Sequence, residues 1–345
     1  MTKTTTSPDE QPCIVARDAA VKHGNRTVWD HGTFEIPTGS VTAIVGTNGA
    51  GKTTMLNAEL GLIPLSGGSI TVLGKPAGEA NAQIGYVPQT YTTEIDASLT
   101  ALQSVLLGLT GNRFGFHPVT KKQQAKALEA LDYVGIAKDA NLRLSQMSGG
   151  MRQRVAIAQA LVSEPKLLML DEPLANLDLQ SQHTTVHILA KLNQELHMTI
   201  QVVAHDLNML LPILTGAIYL LDGHPHYACV NEVLDAKLLT HLYGTTVQVV
   251  QTPQGDMFVT PESDLHFGTN TGEADTHTVR EVTHFHEHNG SHAADKDHAD
   301  TNNAAAPHTE ATTPHCAAPA ATTASAAMDA CATAQSTHSS ASEEQ

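Results

Sequence analysis

Cysteine is scarce, with four in 345 residues. Cys13, Cys229, Cys316 and Cys331 stand far apart and form no C-x-x-C pair, which speaks against a disulfide framework and fits a reducing compartment. Positive charge is also short: 19 Lys and Arg face 35 Asp and Glu, and the formal net charge of −16 argues against nucleic acid as a partner. Long apolar runs are missing. The most apolar window, Met209 to Leu221, falls well short of the roughly 18 to 20 residues that cross a bilayer, and Met1 to Gln11 lacks the apolar centre of a secretion signal. A cytosolic chain with no membrane span of its own is expected. Leucine and isoleucine are absent beyond Leu265, and aromatic residues beyond Phe285. Residues 266–345 therefore have too little apolar surface to offset the entropy of ordering, and disorder is expected there and in the polar residues 1–12.

Residues 13–265 hold enough apolar material for one large core. Cys13 to Pro37 alternates apolar and polar residues around His23-Gly24-Asn25, a pattern of short antiparallel strands. The β-branched run Val41 to Val45 is followed by a glycine-rich loop and by helical spacing over Thr53 to Leu62. A polar, loop-like stretch ends at a strand beginning with Ile84; helices are then expected over Leu99 to Leu109, Lys121 to Leu131 and Met151 to Val162. Lys166 to Leu170 reads as a buried parallel strand, Thr185 to Leu196 as a helix and Thr199 to Ala204 as a strand. Asp222-Gly223 marks a tight hairpin after Ala217 to Leu221. Alternating strands and helices imply an α/β fold with a mostly parallel sheet, and the lack of an internal repeat implies a single such unit.

Gly46-Thr47-Asn48-Gly49-Ala50-Gly51-Lys52-Thr53, followed by Thr54, satisfies G-x-x-x-x-G-K-[ST] between a strand and a helix. Such a loop turns its backbone N–H groups toward phosphate oxygens, and the helix behind adds the positive end of its dipole. Lys52 is expected to reach the β and γ phosphates of ATP, and Thr53 to ligate Mg2+ through its hydroxyl. Asp171 and Glu172 follow the run Leu167 to Leu170, at the strand end where ligands bind in open α/β sheets. Asp171 is placed to hold magnesium and Glu172 to polarise the attacking water as general base. Ser148, Gly149 and Gly150 open a helix and form a second anion-binding turn, which calls for a second nucleotide or a second subunit.

These motifs resemble those of the nucleotide-binding subunits of ABC transporters, over approximately residues 13–265. The resemblance implies a RecA-like P-loop core with an N-terminal antiparallel β subdomain and an α-helical subdomain carrying the signature motif. In that family Ser148-Gly149-Gly150 would complete the ATP site of the opposite subunit in a head-to-tail homodimer. Gln89 matches the Q-loop residue that senses magnesium and the γ-phosphate and contacts the membrane subunit, Asp178 the D-loop, and His205 the switch histidine. His23 stands where the family places an aromatic ring on adenine. Met147 and Met151 depart from the usual Leu-Ser-Gly-Gly-Gln, and His23 offers a smaller ring than Tyr.

Ser98 to Gly108 and Ala204 to Pro212 look most like zinc and manganese importers, and the Gly-Glu-rich loop of exporters is missing before the signature. The implied partners are integral membrane permease subunits and, indirectly, an extracytoplasmic substrate-binding protein, with the chain on the cytoplasmic face of the cell membrane. Nine histidines follow Thr276, and His284, His286 and His288 fall within five residues, a nitrogen-rich set that favours zinc over manganese. The alternatives are a solubilising tail without a specific ligand, another cargo such as an iron chelate, and a soluble ABC ATPase without transport.

Overall fold

The computed structural model describes residues 11–89, 98–111, 118–252 and 257–261. β1 (Ile14–His23) and β2 (Arg26–Ile36) form an antiparallel pair around Gly24-Asn25, where Gly24 has φ 59°. β3 (Val41–Val45) leads through the glycine loop into α1 (Lys52–Glu59). β4 (Gly67–Val72) and the short β5 (Lys75–Pro76) complete a four-stranded antiparallel sheet in the order β2-β1-β4-β5. This corrects the expectation of a loop before Ile84: in Gly-Gly-Ser-Ile-Thr-Val only Ile70 and Val72 are buried, too little alternation to be seen in the sequence.

After β6 (Ile84–Val87) come α2 (Ala101–Thr110) and α3 (Lys121–Tyr133), each opened by a reciprocal cap, Thr100 with Gln103 and Thr120 with Gln123. α4 (Gly149–Leu161), capped by the Ser148 hydroxyl, and β7 (Leu167–Asp171) follow. α5 (Leu179–Leu196) starts six residues before the helix read from apolar spacing, because Asp178 caps a first turn that is wholly polar after Leu179. β8 (Thr199–Val203), β9 (Gly216–Leu221) and β10 (His224–Cys229) close a six-stranded sheet in the order β10-β9-β3-β8-β7-β6, parallel except at β10. The turn between β9 and β10 is Asp222-Gly223, both at positive φ (51° and 80°), the tight hairpin expected from the dipeptide.

The strands β3, β7 and β8 are buried throughout, and their side chains divide between two cores. Val41, Ala43, Val45, Leu168, Leu170, Ile200 and Val202 pack with α2 to α5. Ile44, Leu167, Met169 and Val203 face the other way, toward α1 and the antiparallel sheet, around the fully buried Trp29. The chain then adds α6 (Val230–Val233), α7 (Ala236–Tyr243) and a hairpin of β11 (Val247–Gln251) and β12 (Met257–Pro261) that the sequence did not reveal. Cys13 is a buried free thiol. Among the described residues no helix is long and apolar enough to cross a membrane.

Candidate active site

β3 delivers its carboxyl end into the loop Gly46 to Gly51, and Gly51 caps α1 from the left-handed region at φ 98°. A Cβ at Gly51 would stand 2.6 Å from Val28 Cγ1 and 3.0 Å from Trp29 Cδ1, so the antiparallel sheet leaves room there for glycine only. The Ala50 N–H donates to the Thr47 carbonyl at 3.2 Å, closing the turn. Lys52 Nζ donates to the carbonyls of Gly46 (3.0 Å) and Thr47 (3.2 Å). Burial lowers the pKa of this buried ammonium, while Glu172 and Asp171 oppose that shift.

β7 and β8 lie side by side, and their carboxyl ends carry the acids and the histidine. Asp171 is 2% exposed, and its Oδ1 accepts from Thr53 Oγ1 at 3.2 Å. Burial raises its pKa most, and the Thr53 hydrogen bond is the leading opposing cause. Glu172 adopts φ 51°, a conformation rare for a side-chain-bearing residue, and its N–H donates to the Val203 carbonyl at 3.2 Å. Its two oxygens are both engaged. Gln89 Nε2 donates to Oε2 at 2.7 Å, and His205 Nε2 lies 2.7 Å from Oε1.

A cavity of about 450 Å3 opens over the loop, lined by Asn48, Gly49, Gly51, Lys52, Thr53, Thr54 and Glu172, with His23 on its wall. Gly46, Thr47 and Ala50 shape the loop, Asp171 reaches the cavity through Thr53, and Gln89 and His205 reach it through Glu172. Lys22, Arg26 and Val28 also line the wall and were not anticipated, since spacing alone does not show which end of a hairpin faces the loop. A second cavity of about 260 Å3 lies beside Glu172, His205, Asn176 and Met209, so Glu172 borders both. Ser148, Gly149, Gly150 and Asp178 line neither cavity. Ser148 Oγ accepts from the Met151 N–H at 3.2 Å, and a Cβ on Gly150 would stand 2.3 Å from Ser181 Oγ, so α4 and α5 touch where the signature begins. Asp178 accepts from the Ser181 N–H (2.9 Å) and hydroxyl (2.8 Å), which hold its carboxyl below the usual range. Among the described residues no group of three or more His, Cys, Asp or Glu side chains could hold a metal ion; His284, His286 and His288 lie outside those residues.

A glycine loop at a helix N-terminus, a lysine inside it and an acid pair on the adjoining strand end define a P-loop nucleoside triphosphatase. The comparison with known proteins narrows that class. The family model described as "ABC transporter" matches residues 30–175. A probable metal transport system ATP-binding protein of Chlamydia trachomatis is 31% identical over 68% of this chain and 90% of its own length. The zinc transport system ATP-binding protein TroB of Treponema pallidum is 31% identical over 69% and 87%, and the phosphonates import ATP-binding protein PhnC of Stutzerimonas stutzeri 34% over 64% and 85%. Among solved structures, a metal-chelate type ABC transporter in an inward-facing conformation superposes with a TM-score of 0.65 at 26% identity, covering 74% of this chain and 99% of that one. A dimeric bacterial ABC transporter cassette does so with a TM-score of 0.54 at 29% identity, covering 63% and 98%. The chain belongs to the ABC transporter family: it is an ATP-binding cassette subunit, an ATPase of the kind that dimerises and works with membrane permease subunits.

Proposed function

We propose that this chain energises import of a metal ion, zinc or manganese, through separate permease subunits, and that residues 13–265 form the cassette between the flanking segments 1–12 and 266–345. The observation that carries the catalytic part is the double engagement of Glu172 by Gln89 and His205, beside the Thr53–Asp171 pair. The donors fit magnesium: a hydroxyl and a carboxylate oxygen 3.2 Å apart are hard ligands, and this ion takes few protein groups beside substrate phosphates. When bound, Mg2+ supplies charge neutralisation on the β and γ phosphate oxygens.

The chain's own residues do the rest. Lys52 exchanges two loop carbonyls for phosphate oxygens of ATP, and the loop amides hold the same oxygens. Thr53 and Asp171 are the metal's protein ligands, with Gln89 near them through Glu172. Glu172 accepts the proton of the attacking water, while Gln89 and His205 fix the direction of its two lone-pair faces. His23 stacks on adenine from the cavity wall. Ser148, Gly149, Gly150 and Asp178 act on the nucleotide of a second copy in a head-to-tail homodimer; their separation from the chain's own cavity and the 65% exposure of Leu179 beside Asp178 support this.

The metal cargo is supported by relatives named for metal and zinc transport. A phosphonate importer subunit of comparable identity supports the second reading, in which the same ATPase serves another solute. His284, His286 and His288 are proposed zinc ligands on their spacing alone. On this reading the chain works at the cytoplasmic face of the membrane, held by its permease, with an extracytoplasmic binding protein delivering cargo. Purification with the permease, elemental analysis and ATPase assays in lipid decide between the two. Stimulation by zinc or manganese is expected; stimulation by a phosphonate or an iron chelate, with none by either metal ion, removes the metal reading.

A further inference from the structure

Three residues beyond His205, the side chain of Asn208 does the work of a neighbouring strand. Its Oδ1 accepts from the Val259 N–H at 2.7 Å, and its Nδ2 donates to the Val259 carbonyl at 2.9 Å. In an antiparallel pair a residue's N–H and C=O point to the same side. Val259 faces Val249 across the hairpin, and both its backbone groups are spent on Asn208 instead. The carboxamide, with one donor and one acceptor at fixed spacing, satisfies that strand edge.

The same segment is tied a second time. Leu207 is fully buried, in the core against which Tyr243 of α7 packs. Asp206 Oδ1 accepts from the Asn208 N–H at 2.9 Å, which bends the backbone immediately after His205. Val247 and Val259 are buried in the same core as Leu207 and Leu210, so the hairpin is anchored rather than loosely laid on the surface. The result is a short chain of contacts: β12 to Asn208, Asn208 to the bend at Asp206, the bend to His205, and His205 to Glu172 at 2.7 Å.

We infer that Asn208 is a positioning residue for His205, and that the hairpin β11–β12 is a control arm through which forces on the carboxyl-terminal end of the cassette reach the hydrolytic site. This rests on the proposed role of His205 and goes beyond it: the distance from His205 to Glu172 is set from the far end of the fold.

The test uses the full chain with its permease in lipid. Asn208→Ala is expected to lower kcat about tenfold while the affinity for ATP stays as in the parent. Asn208→Asp, which keeps the acceptor for the Val259 N–H, should recover part of that loss. In a His205→Ala background the Asn208→Ala change should add nothing further, because the two act in series. Val259→Pro, which removes the donor without touching the loop, should reproduce the Asn208→Ala kinetics; thermal unfolding of each variant shows whether the fold is kept. Parent-like kcat in a folded Asn208→Ala protein, or losses that multiply with those of His205→Ala, overturns the inference. Parent-like hydrolysis by His205→Ala itself overturns the underlying role of the histidine, and with it this one.

Discussion

His205 Nε2 lies 2.7 Å from Glu172 Oε1, across the gap between the adjacent strand ends of β8 and β7. The imidazole therefore donates to the carboxylate, leaving Glu172 oriented on one side by a ring and on the other by the Gln89 amide. Glu172→Gln keeps the shape and removes the basic oxygen. A loss of about 10^2- to 10^4-fold in ATP turnover is expected, with nucleotide still bound and dimers accumulating. Phosphate release and size-exclusion chromatography with ATP check both parts, and turnover at the parent rate rejects the assignment.

Lys52 is the buried cation of the loop. Lys52→Ala should weaken ATP binding by about 10- to 100-fold, the range set by losing charge-assisted hydrogen bonds to phosphate. Thr53→Ala should instead raise the Mg2+ concentration needed for half-maximal turnover. Equilibrium titration with a fluorescent nucleotide and a magnesium titration of hydrolysis separate the two effects.

Glu59 of α1 is fully buried, and burial pushes its carboxyl up to about 8 from an ordinary 4.5, against the Gln201 hydrogen bond at 3.1 Å. Glu59 Oε2 and Gln201 Oε1 have no partner, a deficit that a proton on the acid relieves by supplying a donor. The folded chain thus keeps a proton that the unfolded chain releases above about pH 4.5. Stability should fall as pH rises from there and level off above about pH 8, by roughly 5 kcal/mol in all. Denaturant unfolding across that range measures the slope. Glu59→Gln should flatten it, and an equal slope in the variant shows that another group is responsible.

His23 stands on the cavity wall as a smaller ring than tyrosine. His23→Tyr should tighten ATP binding about threefold through added stacking area, with hydrolysis at saturation unchanged. Affinity that stays level or weakens in the same fluorescence titration removes the stacking role.

The parallel sheet and the acids at its strand ends could be read from the residues, because runs such as Leu167 to Leu170 are apolar on both faces and end in acids. The phosphate loop was equally plain, since its glycines and lysine sit at fixed offsets behind a strand. What stayed hidden depends on contacts distant in sequence. Nothing near Glu172 announces that Gln89, 83 residues earlier, will donate to it, and that pairing was expected only by family resemblance. Lys22 and Arg26 were missed because their place on the cavity wall follows from how the antiparallel sheet packs over α1. The final hairpin escaped because only Val247 in β11 and Val259 in β12 are buried.

Glu172 borders the cavity of about 450 Å3 over the loop and also the cavity of about 260 Å3 behind it. The carboxylate is thus a wall shared by two chambers: a substitution at Glu172 alters both at once, whereas one at Met209 or Asn176 alters the second alone.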